Sequence, residues 1–116
     1  MKLDVSTKML DLRGNAITEP KSAQDKTPVE ITLRDVLINA LTATTAEDVK
    51  ANSKTRLKLF ELAMKINQAA NLVEIDNEDA VVVQTRVAQL QLGNLIVGQA
   101  LMLMEGKEVN LGQPRI

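Results

Sequence analysis

A single aromatic residue, Phe60, occurs in this chain of 116 residues. The core of any fold must therefore be built from Leu, Val, Ile, Met and Ala, and Phe60 is expected to be its largest side chain. This length is typical of one domain, and a composition of 45% hydrophobic and 25% charged residues is ordinary for a globular protein. The sequence therefore predicts one compact domain with an aliphatic core.

Histidine, cysteine, tryptophan and tyrosine are all absent from the sequence. Histidine proton shuttles, cysteine nucleophiles, disulfides and thiolate metal sites are therefore excluded, and we expect a protein that is not an enzyme and has no cofactor or bound metal. The net charge of −1 argues against a strongly electrostatic nucleic-acid binder. No apolar run approaches the roughly 18 residues of a membrane span, so a soluble intracellular protein without membrane contact is expected.

Residues 1–31 lack helical periodicity and predict an extended arm. Apolar and polar residues alternate along its first part, and Gly14 and Asn15 supply a turn signal with positive φ. A hairpin is therefore predicted over residues 8–18. The polar stretch 19–28, which contains Pro20 and Pro28, is predicted to be a surface linker.

Residues 32–106 are predicted to form a helical domain, followed by a flexible tail over 107–116. The fold class is thus mainly α, a compact bundle of about four helices with an extended N-terminal β-hairpin arm. Caps and apolar periodicity of i, i+3 and i+4 define the helices. The first helix starts at Thr32 and is followed by a short helical turn over 46–50. The second runs from Ser53 to Asn71, the third from the acidic residues 76–79 to Leu92, and the fourth from Leu95 to Glu105.

Two groups of charges allow more than one interpretation. The acidic group at 74–79 favours the positive end of a helix dipole, and its oxygens could alternatively bind Ca²⁺ or Mg²⁺. The basic group Lys50, Lys54, Arg56 and Lys58 is either a solvated helix face or a contact for phosphate or an acidic partner. Residues 45–65 are mainly basic, whereas Arg86 is the single basic side chain of residues 66–106. This separation predicts either steering between copies or neutralisation within one chain.

The last helix is apolar on nearly every side, which predicts burial in the bundle or against a partner. Gly98 lies within it and predicts a close approach of two helices, because glycine otherwise weakens a helix by roughly 1 kcal/mol. Met102 and Met104 are either ordinary core residues or part of an adaptable binding surface.

Several segments resemble small proteins encoded by tailed phages and prophages, a group without an assigned function. The resemblance lies in Lys2-Leu3-Asp4, Asp11-Leu12-Arg13-Gly14, TLRDVLINA at 32–40, ELAMKI at 61–66, VEIDNED at 73–79, IVGQA at 96–100 and Met104-Glu105-Gly106-Lys107. It implies a phage setting and no catalytic residues. The stretch QLQLGN at 89–94 departs from the pattern of that group, which places the break between the last two helices in doubt.

These observations predict a non-catalytic phage protein that acts through protein–protein contacts, most directly as an accessory or assembly protein of the particle. The expected partner is itself or another phage protein, in the cytoplasm of an infected bacterium and in association with the virion. The alternatives are a small phage inhibitor of a host protein and, less favoured, a helical regulator that binds nucleic acid. The predicted partner-binding residues are Leu3, Val5, Met9, Leu12, Ile17, Lys54, Arg56, Lys58, Met102 and Met104.

Overall fold

The computed structural model describes residues 1–20, 28–107 and 109, and this part of the chain is mainly helical. Its helices are α1 (Leu33–Thr42), α2 (Ala46–Lys50), α3 (Ser53–Gln68), α4 (Asn77–Ala88) and α5 (Asn94–Met104). Its strands are β1 (Lys2–Asp4), β2 (Thr18–Pro20), β3 (Pro28–Glu30) and β4 (Leu72–Glu74). Helix α1 packs against α3, α4 and α5, and it is therefore the centre of the helical part.

The helix starts follow the capping signals in the sequence. The Thr32 N–H donates to Asp35 at 2.9 Å in front of α1, and the Asp79 N–H donates to the Asp76 carboxylate at 2.8 Å in front of α4. These bonds satisfy N–H groups that a helix leaves without internal partners. At α3 the predicted cap Ser53 is wrong by one residue, because the Asn52 side chain accepts the bond from the Thr55 N–H.

The break between the last two helices comes earlier than predicted. Helix α4 ends at Ala88 instead of continuing to Leu92, and Gln89 is its C-terminal cap. Helix propensity does not explain this end, because Gln and Leu follow Ala88; instead the Gln89 and Leu90 N–H groups donate to the Arg86 and Val87 carbonyl oxygens, both at 3.1 Å, and tighten the last turn. Gly93 then caps the start of α5.

The expected extended arm is not confirmed, because the described N-terminal residues belong to the body of the protein. Strand β1 pairs antiparallel with β4, with Leu3 opposite Val73. Val5 and Met9 are fully buried, and the Met9 N–H donates to the carbonyl oxygen of Ile31 at 2.8 Å. Alternating apolar residues here fill the core of their own chain.

The predicted hairpin over 8–18 is present only as a tight loop with one isolated bridge, between Leu10 and Ala16. Gly14 has the positive φ of 88° that the turn signal requires, whereas Asn15 does not have a positive φ. Part of the predicted linker is strand, since Thr18–Pro20 pairs antiparallel with Pro28–Glu30. The rest of that linker, 21–27, and nearly all of the predicted tail lie outside the described residues.

Candidate protein-binding surface

Helix α3 has apolar side chains on two opposite faces. The inner face carries Leu59, Leu62, Ala63 and Ile66, which are buried in the core. The outer face carries Leu57, Phe60 and Met64, which are 56%, 55% and 40% exposed. Their spacing of i, i+3 and i+7 aligns them in one row on a helix. We call these three residues the outer stripe.

The position of Phe60 corrects the sequence prediction that it is the largest piece of the core. The buried face of α3 consists of Leu59, Leu62, Ala63 and Ile66, and Phe60 lies on the outer face of the same helix. Aromatic side chains are enriched at protein interfaces, where they supply a large contact area with few rotatable bonds. An aromatic residue that is more than half exposed, and flanked by two more apolar side chains, makes this face a candidate binding surface.

Basic side chains surround the outer stripe. Lys54, Arg56 and Lys58 are all exposed, as the sequence prediction of a partner-binding group requires. Lys58 forms an ion pair with Asp79 of α4 at 3.4 Å, whereas Lys54 and Arg56 form no ion pair with any described residue. Helix α3 also contains Lys65 and has Glu61 as its single acidic residue. The surface therefore combines an apolar row with a net positive border.

Shallow grooves run along both sides of α3. One lies toward α4, and its lining includes Leu57, Leu59, Val82 and Lys54. The other lies beside the end of α1 and is lined by Leu41, Ala43, Arg56 and Phe60, among others. Leu57 lines the first groove and Phe60 lines the second, so the outer stripe continues into a concave surface on each side. The grooves enlarge the area that a partner can contact.

Two arginines fix α3 and its neighbours in place, and the sequence did not indicate either role. The Arg34 guanidinium donates to the carbonyl oxygen of Ala70, beyond the end of α3, at 2.8 Å. The Arg86 Nε donates to the carbonyl oxygen of Ala40, near the end of α1, at 3.0 Å. Both therefore serve carbonyl groups at a helix C-terminus, where positive charge is favourable.

Arg86 also forms an enclosed ion pair with Asp48 of α2. Their closest atoms are 2.9 Å apart, and the two side chains are only 10% and 11% exposed. The Thr45 backbone N–H, together with the Arg86 guanidinium, lowers the pKa of Asp48 from its ordinary value of 3.8, although burial acts in the opposite direction. Lys58–Asp79 is the one ion pair among the described residues that joins a basic residue of 45–65 to an acidic residue of 66–106, whereas Asp48–Arg86 joins the opposite kinds. Both interpretations of the charge separation therefore stay open.

The N-terminal residues predicted to bind a partner divide into two groups. Leu3, Val5 and Met9 are at most 3% exposed, so they are reassigned to the core of their own chain. Ile17 is partly buried and packs against that core. Leu12 is 73% exposed at the tip of the loop and stays available to a partner.

Gln99 holds this loop against α5. Its side-chain oxygen accepts a bond from the Leu10 N–H at 2.9 Å, and its side-chain nitrogen donates to the Leu10 carbonyl oxygen at 2.6 Å. The buried amide thereby pairs with both backbone groups of Leu10 in the manner of a neighbouring strand. No sequence pattern indicated this contact, because the two residues are 89 positions apart.

The methionines of α5 also divide. Met104 is 1% exposed and is reassigned to the core, whereas Met102 is 38% exposed. The close helix approach predicted at Gly98 is wrong, because a Cβ atom at this position would meet no described heavy atom within 4 Å. Packing among the described residues therefore does not explain why this position of α5 is a glycine.

Helix capping explains the acidic group at 74–79 except for Glu74, which lies on β4 and pairs with the N-terminal amino group at 3.5 Å. Asp76 caps α4, and Glu78 and Asp79 lie in its first turn. Among the described residues, no three His, Cys, Asp or Glu side chains are grouped so that they could hold a metal ion. In the same part of the chain, no helix has both the length and the apolar character needed to cross a bilayer.

Comparisons with protein-family models, curated proteins and solved structures found no match. The outer stripe and its basic border are therefore the features on which a functional proposal depends. They occupy one face of a single helix, which makes them accessible to direct mutational tests.

Proposed function

We propose that this chain is a non-catalytic protein that acts by binding another protein through the outer face of α3. The observation that carries the proposal is the exposure of Leu57, Phe60 and Met64 in one row. Their inner counterparts already complete the core, so folding of this chain does not require apolar residues on the outside. Grouped apolar side chains with a polar border are typical of protein interaction sites.

The setting that we propose is a tailed phage, on the basis of the sequence resemblance described above. An accessory or assembly role would have the protein bind a phage component, in the cytoplasm of the infected bacterium and in association with the particle. An inhibitory role would use the same surface on one host protein. The two roles differ in the origin of the partner and share the chemistry of contact.

The test compares partner capture by wild-type protein and by the variant Leu57→Ser, Phe60→Ser, Met64→Ser. Each purified protein is used to capture partners from bacteria infected with a phage that encodes it, and the complex is rebuilt from purified components. We expect a defined complex with wild type that the triple variant forms at least about tenfold more weakly, since buried apolar side chains contribute about 1.5–3 kcal/mol each.

The matched control is Leu72→Ser, because Leu72 is 64% exposed on β4 and does not belong to the outer stripe. This variant should bind like wild type, and thermal unfolding should show that all the proteins are folded. Equal binding by wild type and the triple variant would contradict the proposal. A phage-encoded partner supports the assembly role, whereas a single host partner supports the inhibitory role.

A helical regulator that binds nucleic acid is the second candidate, because Lys54, Arg56 and Lys58 are all exposed. Phosphate contacts would make binding strongly dependent on salt. The test is a DNA mobility shift at low salt with wild type and with Lys54→Glu, Arg56→Glu, Lys58→Glu. A shift that the variant loses supports this candidate, and no shift with wild type removes it.

A further inference from the structure

We propose that the occupant of the outer stripe is an acidic amphipathic helix of another protein, an inference that rests on the proposed function of α3. The helix would lie along α3, with apolar residues against Leu57, Phe60 and Met64 and with Glu or Asp side chains facing the basic border. Two features support this occupant, the geometry of the row and the sign of the charge around it.

The geometry of the outer stripe matches one helix. The row spans residues 57–64, or about 10 Å at 1.5 Å per residue, which is roughly two helical turns. A partner helix with apolar residues at i, i+3 or i+4, and i+7 presents a row of the same length and period. The neighbouring groove toward α4, with Leu59 and Val82 in its lining, gives such a helix a second apolar surface.

The charge around the stripe selects an acidic partner. Four basic residues lie on α3 against the single acidic Glu61, and three of them remain after Lys58 pairs with Asp79, although the chain as a whole has a net charge of −1. Lys54 and Arg56 form no ion pair with described residues, so they remain available to carboxylates of a partner. Exposed ion pairs are individually weak, but several together select the partner and speed association.

The same charge disfavours two other occupants. A second copy of this chain would bring its own basic border against the first, and facing like charges oppose association. A membrane surface would require Glu61, which is exposed beside the row, to approach the lipid. Three half-exposed side chains also provide less contact than the roughly 800 Å² per partner of a standard interface between two domains.

The test uses two fluorescent peptides of about 18 residues, long enough to form helices on binding. Both carry Leu at i, i+3, i+4 and i+7, and they differ only in having Glu or Lys at the flanking positions. Fluorescence anisotropy measures their binding to the whole chain. At about 50 mM salt we expect the acidic peptide to bind at least about tenfold tighter than its basic twin, and this preference should shrink at about 500 mM.

Two variants test which side chains produce the preference. Lys54→Glu, Arg56→Glu should abolish or reverse it, whereas the control Lys2→Glu, Lys107→Glu changes exposed charges elsewhere and should leave it intact. Phe60→Ser should weaken both peptides about equally. Equal binding of the two peptides by wild type, or a preference that the Lys54 and Arg56 changes do not affect, would overturn the inference.

Two further measurements test the other occupants. A mass close to twice that of one chain in light scattering, lost in Phe60→Ser, would show a second copy and overturn the inference. Binding to vesicles of phosphatidylcholine and phosphatidylglycerol, also lost in Phe60→Ser, would do the same in favour of a membrane. If partner capture depends on the outer stripe but the peptides show no charge preference, the proposed function stands and only this inference fails.

Discussion

At the scale of single residues, the structure depends on polar groups that join distant parts of the chain. Arg34, Arg86 and Gln99 each bond to backbone atoms at least 35 residues away. Each group satisfies carbonyl or N–H groups that would otherwise lack partners at a helix end or in a loop, where an unpaired buried group costs about 1–3 kcal/mol. Substitution of any of these three residues should therefore lower the free energy of unfolding, because it leaves backbone groups without partners.

The ion pair between Asp48 and Arg86 predicts a specific dependence of stability on pH. The pKa of Asp48 is lower in the folded state than its ordinary value of 3.8. The charge of Asp48 therefore stabilises the fold fully above pH 3.8, and this contribution is lost as the pH falls through the lowered pKa of Asp48. Asp48→Asn should reduce the free energy of unfolding by about 2 kcal/mol at pH 7. The difference from wild type should narrow below pH 3.8, as measured by urea unfolding at a series of pH values.

The control for this experiment is Glu47→Gln, at an exposed position next to Asp48. It should change the free energy of unfolding by less than about 0.5 kcal/mol at pH 7. A constant difference between wild type and Asp48→Asn from pH 7 to pH 2 would show that the charge of Asp48 contributes nothing to stability.

At the scale of elements, α3 and α5 show that an apolar pattern does not say which apolar face is covered. Both helices carry apolar residues around much of their circumference, and each buries one side only. Ala100 and Met104 are buried on α5, whereas Met102 is 38% exposed. Gly98 of α5 faces open space, because a Cβ atom added there would have no described heavy atom within 4 Å.

Gly98→Ala is expected to stabilise the protein, because alanine favours a helix interior and nothing described obstructs its methyl group. The gain should be about 1 kcal/mol, measured by urea or thermal unfolding. Gly106→Ala is the matched control at the end of α5, where φ is 76°. Alanine is strained in that region, so this variant should lose about 1 kcal/mol. Destabilisation by Gly98→Ala would mean that a close neighbour does exist at this site.

At the scale of the whole molecule, the N-terminal segment and the helices form one core. β1 pairs with β4, which follows α3, and the chain then passes the start of α1, where the Leu33 N–H donates to the Thr7 carbonyl oxygen at 2.7 Å. The first residues of the chain therefore connect two elements that are far apart in sequence. The core is therefore incomplete without this segment.

Met9→Ala tests whether the N-terminal segment belongs to the core. Met9 is fully buried, so its truncation should reduce the free energy of unfolding by about 2–5 kcal/mol. Leu12→Ala, at a position that is 73% exposed, should change it by less than about 0.5 kcal/mol. Similar small effects of both variants would indicate that the N-terminal segment is a separate arm, as the sequence predicted for residues 1–31.

The local features of this protein follow from short-range signals in its sequence. Thr32, Thr45 and Asp76 are capping residues whose partners lie three positions away, so the short-range signal was sufficient. The mainly helical class followed from periodicity along single segments. The basic group at the start of α3 was also correctly placed at the surface, because charged side chains are rarely buried without a partner.

Which apolar residues are buried depends on how the helices and strands pack together. The alternation of Leu3, Val5 and Met9 with polar residues fits both a contact with a partner and a strand of the chain's own core. Strand β1 pairs with β4, and these residues therefore belong to the core. Phe60 lies on a helix with two apolar faces, and the packing of α1 on one of them left the other exposed. Burial depends on which elements meet in space, and neither composition nor periodicity contains that information.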